Sequence, residues 1–261
     1  MANVRIAMVG AGSMTFSRGL MADAVQCEAL QGATLALYDI EFPRAELMAA
    51  VGGRYAQFAG ADVSFEAAPS LSAALDGASF VTCTIAVGGM DAWVADLEVP
   101  EQHGSVQTVG DSVGPGGISR GLRHVPVVVE VAREMERLCP DAWLLNYTNP
   151  MSCLCIAVRR ETPVNAVGLC HGLFGTVGRL AELLDMPREE LYAEAAGINH
   201  LTWITTLHRD GEDIYPVLRE RLATEEDLPQ PVSAKLCEVY GLYPSPGDTH
   251  VAEFFPHFLG G

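Results

Sequence analysis

The sequence predicts an α/β protein with a doubly wound parallel sheet and a second, mixed α+β lobe. Six short apolar runs rich in β-forming residues alternate with longer helical stretches as far as Leu169. Runs that are apolar on both faces are typical of strands buried in a parallel sheet. After Leu169 this alternation ends, so we expect one domain over residues 1–169 and a second lobe over residues 170–261.

The individual elements follow from the local pattern. We expect six sheet strands, at residues 4–9, 34–38, 63–66, 80–87, 142–146 and 164–169. Between them, Ala, Leu, Met, Glu and Arg recur with helical periodicity, which predicts crossover helices at residues 17–31, 45–59 and 125–138. In the second lobe we expect strands at residues 192–196 and 201–208, a hairpin turn at Asp210-Gly211, and an acidic surface loop at residues 224–231.

Composition limits the classes of partner. The chain has 261 residues, of which 49% are hydrophobic, and a formal net charge of −17 from 16 basic and 33 acidic residues. This charge disfavours nucleic acid and anionic membrane surfaces, whose phosphates attract clustered Lys and Arg. No apolar run in the sequence reaches the roughly 18 residues that a membrane span needs, so we expect a soluble protein without a membrane partner.

The cysteine pattern indicates the compartment. Seven cysteines lie in mostly apolar contexts, at positions 27, 83, 139, 153, 155, 170 and 237. Their odd number and irregular spacing differ from the paired pattern of a small secreted disulfide scaffold. We therefore expect a cytoplasmic protein in a reducing environment.

A glycine turn follows the first predicted strand. Gly10 and Gly12 permit a tight turn and a close backbone approach, so that a pyrophosphate can lie at the N-terminus of the next helix. Thr15 stands where the usual fingerprint has its third glycine. Asp39 ends the second strand, where a carboxylate accepts hydrogen bonds from the ribose hydroxyls of NAD and disfavours the extra phosphate of NADP. The pattern predicts a Rossmann domain that binds NAD, with these candidate residues: Gly10, Gly12, Ser13, Met14 and Asp39. The alternative is a turn that only joins a strand to a helix.

Two later segments are candidates for ligand contact. Residues 111–121 follow the fourth strand and a linker, and four glycines within residues 114–121 are unfavourable in a helix or strand. We expect a loop whose backbone approaches a ligand; a mobile surface loop is the alternative. Asn149 lies before Pro150 at the carboxyl end of the fifth strand, where parallel sheets bind ligands. A turn-forming Asn-Pro pair is the alternative there.

A cysteine and a histidine adjoin at the start of the second lobe. Cys170 and His171 end an apolar run, and the sequence GINH follows at residues 197–200. A thiolate and an imidazole are ligand types that suit a divalent transition metal. The alternative is an inert core thiol at Cys170 and a hydrogen-bonded core histidine at His200.

Together these segments resemble glycoside hydrolase family 4. The resemblance rests on five motifs in order, namely GAGS at residues 10–13, NPM at 149–151, GLCHG at 168–172, GINH at 197–200 and GDT at 247–249. It implies a glycosidase that depends on NAD and manganese and has a lactate/malate dehydrogenase-like fold. Such enzymes are exceptions to the usual scheme of two catalytic carboxylates.

The resemblance also implies a mechanism. Hydride passes from C3 of the sugar to NAD, while the metal binds the oxygens at C2 and C3. The resulting ketone acidifies the proton at C2, a base removes this proton, and the aglycone leaves by elimination. Water then adds at C1 and the ketone is reduced again, so that no net oxidation occurs.

The family pattern assigns roles to particular residues. Cys170 and His200 match the two metal ligands, and the metal would be Mn²⁺. Asp248 matches the base of the α-glucosidase-like branch, with Tyr240 and Tyr243 as alternatives because other branches use a tyrosine. His171 stands where phosphosugar branches have an acidic residue, and it either donates a proton or only hydrogen-bonds the substrate. Further candidates for substrate contact are Asn149, Asp111 and His250.

The same resemblance bears on substrate, length and assembly. Departure from the phosphosugar pattern at His171 favours an unphosphorylated α-glucoside, galactoside or galacturonide. Family chains usually continue beyond the equivalent of Gly261, so we expect an incomplete second lobe and a homo-oligomer, either a dimer or a tetramer. Two other functions stay open: an NAD-dependent 2-hydroxyacid dehydrogenase, with an arginine clamp and a His-Asp relay, and a non-catalytic NAD-binding remnant.

Overall fold

The computed structural model describes residues 4–259, so the ends of both predicted domains, at residues 1–3 and 260–261, lie outside it. The chain forms two compact units. The first contains the chain up to Met90 together with Gly121–Leu169, and the second contains Asp91–Arg120 and the chain from Cys170 onward. A change of unit thus falls at residue 170, whereas residues 91–120, which we expected in the first domain, group with the second unit.

The first unit is built on a parallel sheet. Its strands are β1 Arg5–Val9, β2 Ala33–Tyr38, β3 Val63–Ala67, β4 Phe80–Cys83, β5 Trp143–Asn146 and β6 Asn165–Gly168. They lie in the order β3-β2-β1-β4-β5-β6, with parallel pairing throughout. This is the strand order of a doubly wound dinucleotide-binding fold. The six predicted strands are confirmed, although the fourth ends at Cys83 and not at residue 87.

Helices cover both faces of this sheet. The helices as far as Glu161 are α1 Ser17–Gln26, α2 Phe42–Ala59, α3 Leu71–Leu75, α4 Gly89–Glu101, α5 Gly114–Leu138 and α6 Met151–Glu161. Of these, α4 from Asp91 onward and α5 as far as Arg120 belong to the second unit. On β2, Leu35 and Leu37 belong to a core that includes Met21, whereas Ala36 belongs to a separate core that includes Leu144. Two apolar cores on opposite faces explain why the strands are apolar on both sides.

The second unit carries an antiparallel sheet. Its strands are β7 Leu191–Ile198, β8 Leu201–Arg209, β9 Glu212–Asp213 and β10 Tyr243–Ser245, and its later helices are α7 Gly172–Leu183, α8 Tyr215–Thr224, α9 Pro231–Tyr240 and α10 Asp248–Val251. The order is β10-β8-β7, with β9 paired to β8. Asp210 and Gly211 connect β8 to β9 with φ angles of 52° and 83°. Positive φ at both positions is what a two-residue hairpin turn requires, so this predicted turn is confirmed, as is the mixed α+β character of the lobe.

The prediction of a loop over residues 111–121 is wrong. Helix α5 begins at Gly114, and α4 occupies much of the preceding linker. A Cβ on Gly116 would lie 2.8 Å from the carbonyl oxygen of Gly110, and one on Gly117 would lie 2.6 Å from the carbonyl carbon of Ser112. These glycines are needed because the preceding segment folds back onto the first turn of the helix. That close approach outweighs the low helix propensity of glycine.

The thiols and the helices bear on the compositional predictions. All seven cysteines are free thiols in the described structure, and Cys27, Cys153 and Cys170 are exposed. Within residues 4–259, no helix combines the length and the apolar character that crossing a membrane requires.

Candidate active site

The glycine turn after β1 is held by the ends of neighbouring strands. The amides of Gly10 and Ala11 both donate to the carbonyl of Tyr38, at 2.9 and 3.0 Å. Gly10 has a φ of +84°, and a Cβ there would lie 2.9 Å from the backbone of Thr84. Only glycine tolerates both this conformation and this close approach.

Asp39 belongs to the same turn. Its Oδ2 accepts a hydrogen bond from the amide of Gly12 at 2.9 Å, and its Oδ1 accepts one from the amide of Glu41 at 3.0 Å. A carboxylate oxygen has two lone pairs, so each oxygen can still accept a ribose hydroxyl. Ile40, which the sequence analysis did not single out, is 89% exposed and offers an apolar surface to the base of a nucleotide.

The turn fits a dinucleotide. A Cβ on Gly12 would lie 2.8 Å from Oδ2 of Asp39, so a side chain at this position would fill the cradle. Ser13 accepts a hydrogen bond from the amide of Phe16 at 3.4 Å, and Met14 is 59% exposed. The roles of these residues in NAD binding stay predictions.

The end of β5 is held by its own side chains. Asn146 donates from Nδ2 to the carbonyl of Thr148 at 3.0 Å and accepts from the amide of Thr148 at 3.1 Å. Both polar atoms of the Asn146 side chain therefore hydrogen-bond the backbone of Thr148. Asn149 is half-buried, and its predicted contact with substrate stays a prediction.

In the second unit, His200 lies in the tight turn between β7 and β8. It has a φ of 65°, and Gly197 before it has a φ of 144°. A Cβ on Gly197 would lie 2.5 Å from the carbonyl oxygen of Leu201. Nδ1 of His200 lies 3.2 Å from Oδ1 of Asp111 and 2.8 Å from the hydroxyl of Ser112. A carboxylate only accepts hydrogen bonds, so we assign the proton to Nδ1, which leaves Nε2 for a metal.

Cys170 lies against the same ring. Its Sγ accepts a hydrogen bond from the amide of Gly172 at 3.3 Å, at the N-terminus of α7. Burial would raise the pKa of Cys170, but the hydrogen bonds to His200 and to the Gly172 amide lower it below its usual value. A lowered pKa of the Cys170 thiol favours the thiolate, which is the form that binds metals.

The contact between His200 and Asp111 changes the proton affinity of both groups. Burial would lower the pKa of His200, but the hydrogen bonds and charges of Asp111 and Cys170 raise it to about 9. Burial would raise the pKa of Asp111, but His200 and the Ser112 hydroxyl lower it to about 2. At neutral pH the pair is an imidazolium and a carboxylate, so a cation that binds the ring has to displace a proton.

His250 is a further polar side chain of this cluster. Its ring lies over that of His200, with 3.9 Å between centroids and 32° between planes. Ligand atoms of Asp111, His200 and His250 all lie within 4.8 Å of one another. Burial and the charge of His200 lower the pKa of His250 to about 4. Among the residues that the structure describes, none hydrogen-bonds its buried Nδ1.

This donor set fits a divalent transition metal. A thiolate, imidazole nitrogens and a carboxylate are ligand types for such ions, and a cation would satisfy the unpartnered nitrogen of His250. Cys170 and His200 were predicted from the sequence as metal ligands, whereas Asp111 and His250 were predicted only as substrate contacts. Asp111 and His250 are far from His200 in the sequence, and no local pattern predicts that the three side chains lie together.

Asp248 caps a helix in the second unit. Its Oδ2 accepts from the amide of Val232 at 2.8 Å, and its Oδ1 accepts from the amide of Ser233 at 2.8 Å and from the Ser233 hydroxyl at 2.6 Å. These bonds satisfy free N–H groups at the N-terminus of α9, where the helix dipole favours an anion. A lone pair remains on Oδ2, so the capping role leaves the predicted base role open.

His171, Tyr240 and Tyr243 differ in their surroundings. His171 is exposed before the first residue of α7, and its charge helps to lower the pKa of His250, which places it near the cluster. Tyr240 is 57% exposed, and its ring lies 5.3 Å from that of Trp203. Tyr243 is buried, and burial raises its pKa, which keeps the hydroxyl protonated at neutral pH and disfavours the phenolate that a base would need.

Comparison with known proteins shows relatives along nearly the whole chain. An α-galactosidase of Bacillus subtilis is 36% identical over 262 residues, which are 98% of this chain and 60% of that protein. An α-galacturonidase of the same species is 36% identical over 282 residues, covering 97% of this chain and 61% of that protein. The chain thus spans about three fifths of the length of these relatives.

The fold is shared with solved structures, and family models match the sequence. A crystal structure of a 6-phospho-alpha-glucosidase from gut microorganisms, in complex with NAD and Mn²⁺, has a TM-score of 0.84 at 22% identity and covers 98% of this chain and 62% of that one. The model for family 4 glycosyl hydrolase matches residues 5–186, and the model for the family 4 glycosyl hydrolase C-terminal domain matches residues 195–258. The chain therefore belongs to family 4 of the glycosyl hydrolases.

Proposed function

We propose that this chain is the cofactor- and metal-binding part of a glycosidase that hydrolyses α-glycosides by transient oxidation at C3 of the sugar. The observation that carries the proposal is the cluster of Asp111, His200 and His250, with the Cys170 thiol beside His200, in a member of family 4. Relatives include an α-galactosidase and an α-galacturonidase, and a structural neighbour binds NAD and Mn²⁺. These support NAD and Mn²⁺ as cofactors and an unphosphorylated glucoside, galactoside or galacturonide as substrate.

The residues of this chain divide the binding tasks between them. When bound, NAD would accept a hydride from C3 and Mn²⁺ would polarise the hydroxyls at C2 and C3. Cys170 and His200 would hold the metal, and Asp111 would orient the His200 ring through Nδ1. The glycine turn would accept the pyrophosphate of NAD, and Asp39 would accept hydrogen bonds from its ribose.

Two proton transfers complete the proposed reaction. Asp248 removes the proton at C2, with Tyr240 as the alternative base, and His171 protonates the glycosidic oxygen as the aglycone leaves or only hydrogen-bonds the substrate. Water would then add at C1 while the protonated base returns a proton to C2, and the reduced cofactor, when bound, would supply the hydride back to C3. Asn149 and Asp111 are the proposed contacts to the sugar hydroxyls.

The test is turnover of α-glycosides and uronides in D₂O with NAD⁺, Mn²⁺ and a reductant. We expect released sugar that carries deuterium at C2, because the base exchanges its proton with solvent before water adds. Release of unlabelled sugar would reject oxidation followed by elimination. The readouts are mass spectrometry for the label and NMR for its position.

The Asp111–His200 pair by itself also suits a second function. A histidine hydrogen-bonded to a carboxylate is the proton relay of a 2-hydroxyacid dehydrogenase, which was one alternative from sequence. The Cys170 thiol against the same ring and the family match favour the metal-dependent glycosidase. Accumulation of NADH from a 2-hydroxyacid without metal would support the dehydrogenase, and NAD binding without any turnover would support a remnant.

Asp248→Asn separates the base role from the capping role. We expect C2 labelling to fall at least about 100-fold, the lower range of general acid–base catalysis, while stability falls by only about 1 kcal/mol because the amide oxygen still accepts from α9. Tyr240→Phe is the matched control and should keep its label. Loss of label in Tyr240→Phe alone would assign the base to the tyrosine. Labelling and thermal denaturation are measured on the same preparations.

The expected location and assembly belong to the same proposal. Seven free thiols, including the exposed Cys170, support a reducing cytoplasm. A dimer or tetramer is expected from the family resemblance, and sedimentation of the protein with and without NAD would measure it. We propose a small sugar as the partner, with neither nucleic acid nor membrane involved.

A further inference from the structure

Glu253 is a buried acidic residue outside the proposed catalytic set. It is 6% exposed and lies in the short helical turn Ala252–Phe254 that follows α10. Its Oε1 accepts hydrogen bonds from the amides of Val109 at 2.6 Å and Gly110 at 2.7 Å. Bonds from N–H groups to an ionised carboxylate are stronger than neutral ones, so one side chain fixes two successive peptide groups.

The two anchored residues lead directly into the metal cluster. Asp111 and Ser112 come next in the chain, and both hydrogen-bond Nδ1 of His200. Gly110 has a φ of 63°, and a Cβ there would lie 2.6 Å from the side chain of Leu97. The backbone before Asp111 is therefore held by the hydrogen bonds to Glu253 and by its packing against Leu97.

Neighbours of Glu253 reinforce the same connection. The hydroxyl of Thr108 donates to the carbonyl oxygen of Thr249, and His250 stacks on His200. Residues 249–253 thus contact both the segment that carries Asp111 and the ring that Asp111 orients. Every one of these residues belongs to the second compact unit.

We propose that Glu253 is a positioning residue of the metal centre, which holds Asp111 and Ser112 against His200 and thereby orients the ring for the cation. The proposal rests on the proposed function in that the centre binds a divalent metal. Partners that orient a metal ligand typically change metal affinity by about 10–100-fold. Without Glu253, the Val109 and Gly110 amides lose their acceptor, and the segment that carries Asp111 and Ser112 is held less firmly against His200.

The variants are chosen to separate positioning from general stability. Glu253→Ala removes the acceptor, whereas Glu253→Gln keeps an oxygen that can accept both N–H groups. Ile204→Val shortens a fully buried core side chain of the same unit without touching the loop. Glu238→Ala removes an exposed glutamate that pairs with Lys235.

Metal binding is measured with Co²⁺, through the charge-transfer absorption of its thiolate bond, and with Mn²⁺, through the electron paramagnetic resonance of the free ion. NAD affinity and thermal denaturation are recorded for each variant. We expect Glu253→Ala to lose at least about tenfold in metal affinity with NAD affinity unchanged. Glu253→Gln should stay within a few-fold of the parent protein, and Ile204→Val should melt earlier with unchanged metal affinity.

Two results would overturn the proposal while leaving the glycosidase intact. One is a folded Glu253→Ala protein that binds metal like the parent, and the other is a metal affinity that follows melting temperature across all variants. If Glu253→Ala does not fold, amide hydrogen exchange is measured in the parent protein instead. Slow exchange of the Val109 and Gly110 amides is expected if Glu253 holds them. Rapid exchange would refute the proposal. A parent protein that binds neither metal would instead reject the metal centre of the proposed function.

Discussion

Cys170→Ser is expected to abolish metal-dependent glycoside turnover and to lower Mn²⁺ affinity at least about 100-fold. Loss of a group that orients a metal ligand typically costs about 10–100-fold, and loss of the ligand itself should cost no less. Serine keeps the size of the side chain and can accept the Gly172 amide, but its hydroxyl does not ionise at neutral pH. His200 and the N-terminus of α7 favour the thiolate at Cys170. They cannot do the same for serine, because its hydroxyl stays protonated.

The matched control for this substitution is Cys153→Ser. Cys153 is also exposed but lies in α6 of the first unit. Mn²⁺ titration, turnover and thermal denaturation should leave this variant indistinguishable from the parent protein. Retention of Mn²⁺ affinity in Cys170→Ser would mean that the cation is held by Asp111, His200 and His250 without the thiolate.

Gly10→Ala should destabilise the first unit by roughly 3 kcal/mol and lower NAD affinity at least about tenfold. A left-handed φ costs an alanine about 1–2 kcal/mol, and a forced steric overlap adds about 1–3 kcal/mol. Here the added Cβ would lie 2.9 Å from the backbone of Thr84. The clash can be relieved only by separating the ends of β1 and β4, which moves the turn that would hold the pyrophosphate.

Gly32→Ala isolates the conformational part of this effect. Gly32 has almost the same φ, +85°, but nothing lies within 4 Å of the added Cβ. Denaturant unfolding of Gly32→Ala should show only the free-energy cost of the left-handed φ, without the cost of steric overlap. Calorimetry should show unchanged NAD affinity. Equal losses in the two variants would mean that the contact with Thr84 contributes nothing, and normal NAD binding by Gly10→Ala would reject this turn as the cofactor site.

The sheet could be predicted because its signal is local. A strand buried in a parallel sheet must be apolar on both faces, as Leu35, Ala36 and Leu37 show by dividing between two cores. The start of α5 could not be predicted in the same way. Gly116 and Gly117 argue against a helix by propensity, and only the segment folded against them reveals why glycine is required.

The candidate metal centre shows the same contrast. Cys170 and His200 were recognisable from their side-chain chemistry and from the family pattern. Asp111 is 89 residues from His200 along the chain, and no local pattern predicts a contact at that separation. The hydrogen bonds of Asp248 to α9 could not be predicted either. The cap comes from a segment that follows the helix in the chain, so the residues next to the helix N-terminus do not indicate it.

By itself, the sequence determined the alternation of strands and helices, the glycine turn with Asp39, and the thiolate and imidazole chemistry of Cys170 and His200. Each of these depends on residues adjacent in the chain or on the nature of one side chain. Only the tertiary structure decided that Asp111 and His250 meet His200, and that Glu253 anchors Gly110 across 143 residues. Such contacts form when distant segments pack together, because burial removes water as a hydrogen-bond partner and polar groups are then satisfied by other protein groups.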